Sequence, residues 1–496
     1  MTGGSGTSRA RVAFQSLFVV MVISALLGFG APASGQTGGA ASPAGAAAQD
    51  SVRFDGAAAD TGVEPAGTPA AAGDRWSLAR AVAAALEGNV DARAAHARTM
   101  QARGSALSAW SGILPSLTGN LIYNRSIPDP KNSIFFVDVD TVRTAFRVKR
   151  RQQEVASAGV QSNLVNIPSW SEKRRQDLLS QTARESEAEA RNGVVYAVKQ
   201  QYFTLVKAER LAEVSRESER LARDEEKRTE ALFEVGTVAR GDVLKARARR
   251  ATTQLDRIRA VNQVEIQRSR LKQVIGLRPG TPLEIEITLD EHVVLPDSAT
   301  VLGMALASRP ELSRAAAAER AARAGLFGAR ARRLPEVTGS VSVDRMKNTQ
   351  RLEELGFGQF DDSYYSTEWF GQVRLTLPVF NGFATEGASK SAKGALLEAE
   401  AQRRQRELDV AVEVQQAWLL VREAVERIDV AKEGLASAEE DYSFSKGRYD
   451  LGAGTFLDLL NAEVSLAQAK QSYVEALADA HVAEAAMERA VGSRRY

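Results

Sequence analysis

From Ala384 to the C-terminus the chain contains no proline, as long unbroken helices require. Within that stretch Val410, Val414, Ala417, Val421, Ala424, Ile428, Ala431, Leu435, Ala438, Tyr442, Ser445 and Tyr449 fall at alternating steps of four and three. This is the heptad seam of a helix packed lengthwise on another helix. After Leu451-Gly452-Ala453-Gly454 the spacing resumes at Leu459, Ala462, Leu466, Ala469, Tyr473, Ala476, Ala480, Ala483, Met487 and Ala490. The pattern predicts two long helices folded back on each other at a glycine turn. Much of the seam is alanine, so the backbones can approach closely. At 1.5 Å per residue the first helix would run roughly 100 Å. No compact domain needs that length, so the hairpin must span something.

The same hairpin occurs earlier. Phe233-Glu234-Val235-Gly236 with Asp242-Val243-Leu244 and Ala246 parallels Tyr449-Asp450-Leu451-Gly452 with Asp458-Leu459-Leu460 and Ala462, offset by 216 residues (236 to 452). Gly276 and Gly492 keep that offset, so each second helix ends on a glycine C-cap after the same length. The chain is a tandem duplication.

Each half opens with a shorter helical pattern, Leu78 to about Gly112, with a break expected near Gly88-Asn89, and Leu302 to Arg333, broken before Pro310. Leu114-Pro115 and Leu334-Pro335 end these patterns. Period-two alternation follows, with Leu117, Gly119, Leu121 and Tyr123 on one face, and Val337, Gly339, Val341 and Val343 in the other half. Returning strands are expected to end at Leu164-Val165-Asn166-Ile167 and to carry Val373, Leu375 and Leu377, with loops near 126–155 and 347–366. A soluble sandwich would alternate in the same way. In an exported chain, four such strands suit a wall with lipid outside and water within, because a bilayer admits only helices or closed barrels. Four strands cannot enclose a lumen, for which about eight are needed. Several copies must therefore each contribute four.

Arg9 and Arg11 ahead of the apolar run Val12–Gly30, then Ala31-Pro32-Ala33, read as a signal peptide over residues 1–36, with an uncleaved membrane anchor as the alternative. Residues 37–74, mostly Ala, Gly, Ser, Pro, Thr and Asp, read as a disordered leader. The chain has no cysteine, which excludes disulfides, thiolate metal sites and lipid attachment through cysteine. With 64 basic and 62 acidic residues, nothing in the charge points to nucleic acid. His96, His292 and His481 lack ligand spacing, and His481 falls with the polar set of its helix, as a solvated side chain would. There is no nucleophile elbow or phosphate-cradling loop, so neither an enzyme nor a cofactor is expected.

The ordered set of motifs resembles the TolC family of outer-membrane efflux proteins. It comprises an export signal, Leu78-x-x-Ala81, Leu-Pro before a strand, Pro378-x-Phe380-x-Gly382 after one, and Val-Gly or Leu-Gly before Asp-Val-Leu or Asp-Leu-Leu and Ala in both halves. The resemblance covers about residues 75–493: a first repeat at 75–277, an equatorial connector at 278–300 and a second repeat at 301–493. It implies a mainly α chain with a membrane β-barrel portion. Three copies would supply four strands each to a twelve-stranded barrel, and the long coiled-coil hairpins would form an α-barrel through the periplasm. The implied partners of the homotrimer are outer-membrane lipid, a periplasmic membrane-fusion adaptor and, indirectly, an inner-membrane pump of RND or ABC type.

Carried over by position, the resemblance places adaptor-docking tips at Gly236, Thr237, Gly452, Gly454 and Thr455. It places the periplasmic gate at Tyr449, with Asp242 as its acceptor, and a constriction at Asp458 and Asn461. The sequence departs from the family at Gly454, where an arginine would stand, and at Asn461, where a second acid would stand. A looser gate and weaker cation binding are implied. Physically, three copies of Asp458 about one axis would raise one another's pKa and attract cations. The Thr455-x-x-Asp458 spacing equally suits a helix cap, and Tyr449 equally suits the last seam position. The contrasting reading of the whole chain is a periplasmic coiled-coil adaptor or scaffold without a pore, which would not need the duplicated strand pairs.

Overall fold

A computed structural model describes residues 75–129, 134–139, 142–290, 293, 295–354 and 358–492. The signal and leader segments lie outside the described residues, as do His292 and the tips of the two strand connections. The elements run α1 (Leu78–Gly88), α2 (Val90–Ser108), a 3₁₀ turn (Ala109–Gly112), β1 (Ser116–Ser126), β2 (Ile134–Val139), β3 (Val142–Val165), α3 (Ile167–Glu234) and α4 (Arg240–Ile275). The second half repeats the series with α5 (Ser298–Ser308), α6 (Pro310–Ala331), β4 (Glu336–Glu354), β5 (Gly358–Thr376), α7 (Ala384–Asp450) and α8 (Phe456–Val491).

The duplication is metrically close. α3 and α7 have 68 and 67 residues, and α4 and α8 have 36 each. Gly276 and Gly492 close the second helices in the left-handed conformation, at φ 88° and 74°. At Gly276 a Cβ would lie 2.5 Å from the Gly88 carbonyl oxygen, so glycine is needed for space as well as for φ. The first short helix breaks at Asn89, whose side chain accepts from the amides of Asp91 and Ala92 and donates to the Val274 carbonyl at 2.8 Å. One side chain thus caps α2 and ties it to the end of α4.

Two apolar clusters lie where the short helices meet the hairpins. The first gathers Ala81, Ala85, Val198, Leu205, Val206, Leu271 and Ile275, the second Val301, Ala305, Val414, Val421, Ala480 and Met487. The connector between the halves is fastened to both. Tyr202 donates its hydroxyl proton to the Glu286 carbonyl at 2.8 Å, and Trp418 Nε1 donates to the Pro296 carbonyl at 2.9 Å. The reading of His481 as solvated is overturned: it is buried, its ring stacks on Phe203 with centroids 4.6 Å apart, and its Nε2 accepts from the Asp290 amide at 3.1 Å. It serves as a clasp for the connector.

The strands form one antiparallel sheet in the order β1-β3-β4-β5, with β2 pairing the far end of β3. β1 and β2 are two pieces of a single interrupted strand, against Arg151–Gln161 and Val142–Arg147 of β3 respectively. The expected loops are largely strand: Val142–Val155 belongs to β3, Lys347–Glu354 to β4 and Gly358–Ser366 to β5. Two register shifts interrupt the β3–β4 ladder, between Val148 and Arg150 and between Asn163 and Val165. The β4–β5 ladder runs unshifted from Glu336↔Thr376 to Glu354↔Gly358.

Candidate functional site

The two hairpin tips are the same turn built twice. In the first, Thr237 N donates to the Leu232 carbonyl and Gly236 N to the Phe233 carbonyl. In the second, Ala453 N donates to the Arg448 carbonyl and Gly452 N to the Tyr449 carbonyl, all at 2.8–3.0 Å. Each is a Schellman closure with a left-handed glycine, φ 78° at Gly236 and 71° at Gly452. Gly454 is set by proximity, since a Cβ there would stand 3.1 Å from the Arg448 Cβ and 3.2 Å from the Tyr449 nitrogen.

The tips differ at the next helix start. Thr455 and Asp458 form a reciprocal capping box: Thr455 N and Oγ1 donate to Asp458 Oδ2 at 3.1 and 2.8 Å, and Asp458 N donates to Thr455 Oγ1 at 3.2 Å. The Thr455 hydroxyl, then its amide, hold the Asp458 carboxyl below the usual carboxylate range. With Asn461 it lies on the exposed face of α8, opposite the buried Phe456, Leu459, Ala462 and Leu466. In the first repeat Ala239 stands where Thr455 would, no side chain caps α4, and Asp242 pairs instead with Lys245 at 3.1 Å.

Tyr449 and Asp242 form no hydrogen bond within the chain. The Tyr449 ring packs on Phe456, with centroids 5.8 Å apart, and under the Arg228 guanidinium, 5.5 Å from its centroid. Burial pushes its hydroxyl pKa up, and the oxygen has no partner of good geometry, because Thr229 beside it donates to the Glu225 carbonyl at 2.7 Å. The charge tie at this level is Arg228 to Asp450, at 2.5 Å, joining the first hairpin to the second. Further up, Arg249 faces Glu463 at 3.5 Å, Lys470 faces Glu217 at 3.1 Å, and Lys207 faces Asp479 at 3.1 Å. These cross-hairpin pairs carry no motif. A signal existed only in their position: Arg249 and Glu463 fall near seam residues, where a charge has to find a partner.

The sheet sorts its side chains by face. Directly opposed residues share a face, so Leu117, Val160 and Val341 form one row, and Ala158, Val343 and Trp369 the next. Val337 and Leu375 lie below them, and Leu121, Tyr123 and Tyr365 above. Leu121 is 88% and Val373 74% exposed, and Leu375, Leu377, Val379 and Phe380 are also bare. The other face carries Thr118, Asn120, Ser340, Ser342 and Asp344, with Ile122, Val155, Met346 and Phe370 among them. A broad bare apolar belt opposite a mainly polar wall is what a lipid boundary demands and water penalises. Arg345 and Lys347 sit over the Tyr365 ring, 5.9 and 5.6 Å from its centroid, at the belt's upper edge. Among the described residues no helix is long and apolar enough to cross a membrane, and no His/Asp/Glu group could hold a metal.

The outer membrane efflux protein family model matches residues 81–277 and again 301–493. The chain belongs to this family. A curated relative, the outer membrane protein TolC of Salmonella enteritidis, is 24% identical over 251 residues, and the match spans half of this chain and half of that protein. Solved structures share the fold. The transmembrane channel CusC superposes with a TM-score of 0.69 at 18% identity, covering 84% of this chain and 92% of that one. The CmeC outer membrane channel of Campylobacter jejuni gives 0.68 at 19% identity, with 84% and 85% covered. The outer membrane protein VceC of Vibrio cholerae gives 0.66 at 20% identity, with 84% and 96% covered. This outer membrane efflux protein thus has a channel protein's fold, mainly helical with one antiparallel sheet.

Proposed function

We propose that three copies of this chain close into a twelve-stranded outer-membrane barrel. It would continue through the periplasm as a helical tunnel and serve as the passive exit duct of a tripartite efflux or type I secretion system. The observation that carries the reading is the sheet itself. It presents an apolar outer face, yet β1 and β5 end it as open edges. In hydrocarbon every backbone donor and acceptor must be paired, so such edges require strands from other copies. β5 of one copy then pairs with β1 of the next. The polar face lines the bore, and the α3/α4 and α7/α8 hairpins extend it.

In this arrangement the paired tips at Gly236–Thr237 and Gly452–Thr455 are the docking points for a periplasmic adaptor, with the pump in the inner membrane engaged indirectly. Asp458 of each copy projects toward the axis as a ring of three carboxylates. Asn461 follows it one turn along, where a second charged ring is absent. Cap and ring are compatible, since the capping box uses Oδ2 and leaves Oδ1 free to face the bore. The test is conductance of the purified protein in a planar bilayer. Discrete current steps are expected, blocked by divalent cations in the wild type and less in Asp458→Ala. Equal block in both removes Asp458 from the constriction, and a protein that salt alone strips from membranes refutes the channel.

A further inference from the structure

The strands are too long for the membrane. A bilayer consumes about 9–11 residues of a tilted strand, and the rows from Val337 up to the Arg345 and Lys347 edge use that length. β4 nevertheless continues to Glu354, and β5 begins at Gly358. In this upper part the polarity of β3, β4 and β5 inverts, while Ile134 and Phe136 of β2 stay on the face that is apolar below.

On the face that is apolar below stand Arg351, bidentate to Asp361 at 2.7 and 2.8 Å, and Glu353, bonded by Lys149 at 2.8 Å and Arg147 at 3.4 Å. On the face that is polar below stand Phe135, Phe146, Val148, Leu352 and Phe360. The assignment follows from register. β4 pairs β5 without a shift, so Leu352 and Phe360 share the face of Ser342, and Phe146 and Val148 lie opposite β4 on that same side.

In β4 and β5 the change comes from the residue types along an unshifted ladder, and in β3 it is made by one residue. The register shift at Lys149 exchanges the parity of β3. Below it even-numbered residues such as Val160 and Ala158 face outward, and above it even-numbered Val148 and Phe146 face inward. A bulge of this kind also bends its strand and is favoured at barrel rims. The resulting patch is continuous: Phe135 stacks on Phe146 at 5.7 Å, and Phe146 meets Phe360 edge-on at 6.0 Å. Val148 and Leu352 are covered at its centre, while Phe135 and Phe360 remain 39% and 45% exposed at its flanks.

We propose that the patches of three copies meet at the pore axis beyond the membrane, forming an apolar closure at the external mouth, distinct from the periplasmic tips. The inference rests on the barrel reading above, which fixes the polar face as the inner one. The occupant follows from placement. The charged face of the same segment turns to water, so the apolar face turns to the axis, where the other two copies stand. Twelve strands enclose more space than side chains fill in an eight-stranded barrel. The hairpins therefore close it only by leaning inward, and the Lys149 bulge is placed to let them do so.

The chain has no cysteine, so one introduced thiol reports on convergence. Phe360→Cys and, on the opposite face, Gln359→Cys are each made in the full-length chain, assembled in membranes, and oxidised with copper–phenanthroline, which accepts the two electrons released as two thiols become a disulfide. Bridging needs Cα atoms within about 7 Å. The expected result is a covalent dimer of Phe360→Cys, one pair per trimer, with Gln359→Cys left monomeric. In a second measurement, Leu352→Ser with Phe360→Ser raises the open fraction of the channel several-fold. If Phe360→Cys conducts like wild type but does not cross-link, or cross-links no more than Gln359→Cys, the closure is refuted while the channel stands. If salt alone strips wild type and variants from the membrane, the barrel reading falls and the closure with it.

Discussion

The contact between Arg249 of α4 and Glu463 of α8 gives a sharp test of how the two hairpins hold each other. Glu463 is 5% exposed, the Arg249 side chain 16%, and Nε lies 3.5 Å from Oε1. Neither of those two atoms has a hydrogen-bond partner of good geometry. Burial pushes the Glu463 pKa up from its ordinary value of 4.5, and Arg249 only partly opposes this. Breaking a buried pair by removing one partner costs about 3–5 kcal/mol. The long contact argues for the lower end, so Arg249→Met should destabilise by about 3 kcal/mol at neutral pH. Arg249→Met with Glu463→Leu, which leaves no charge behind, should recover most or all of it. The pH dependence has a fixed sign. A carboxyl with a raised folded pKa stabilises fully below its unfolded value near 4.5 and loses that contribution as pH rises through the folded value. The Arg249→Met penalty should therefore shrink on acidification from neutrality toward pH 5, by at most about 1.4 kcal/mol per pH unit. The assay is urea unfolding of the detergent-solubilised protein, followed by helical circular dichroism at several pH values. A penalty below about 1 kcal/mol, or one independent of pH, would show that the pair is solvated and would refute the argument.

Two further substitutions probe the junction of the short helices with the hairpins. Gly276→Ala combines φ 88° with a Cβ 2.5 Å from the Gly88 carbonyl oxygen, and should cost at least ~2 kcal/mol. A thermal midpoint equal to wild type would contradict it. Asn89→Ala removes both the cap of α2 and the bond to the Val274 carbonyl, and should cost about 1–2 kcal/mol. If Asn89→Asp, which keeps the cap and loses the amide donor, proves as stable as wild type, the Val274 bond contributes nothing.

The helices were legible because their signals are local and periodic. The seam from Val410 to Tyr449, the glycines at 236, 276, 452 and 492, and the Asn89 break could each be read within a few residues. The upper strands were not legible. Arg150, Arg151, Gln152 and Gln153 are polar on both faces, so they show no period-two contrast, and their strand character comes from pairing with Arg351, Gln350, Thr349 and Asn348, about 200 residues away. Long-range pairing also explains His481, whose polar type suggested solvent until Phe203 and Asp290 were brought against it. At the tips the residue types were visible, but not their partners. The contact of Arg228 with the Tyr449 ring, beside Asp242, is set by how the first hairpin lies on the second.

The nearly equal lengths of the paired helices, 68 and 36 residues against 67 and 36 with the one-residue difference at the start of α7, bear on how such a chain can change over generations. One residue added to a single arm would rotate every later seam position by about 100° and advance it by 1.5 Å, burying charges such as Glu217 and exposing the alanines. Seven residues added to one arm would restore the seam but leave its hairpin lopsided, with the turn no longer opposite its twin. Insertions and deletions in the hairpins are therefore heritable only as whole heptads, taken up by both arms of a hairpin and by both halves of the gene. The solvated helix faces, bound by no such bookkeeping, are free to drift by substitution.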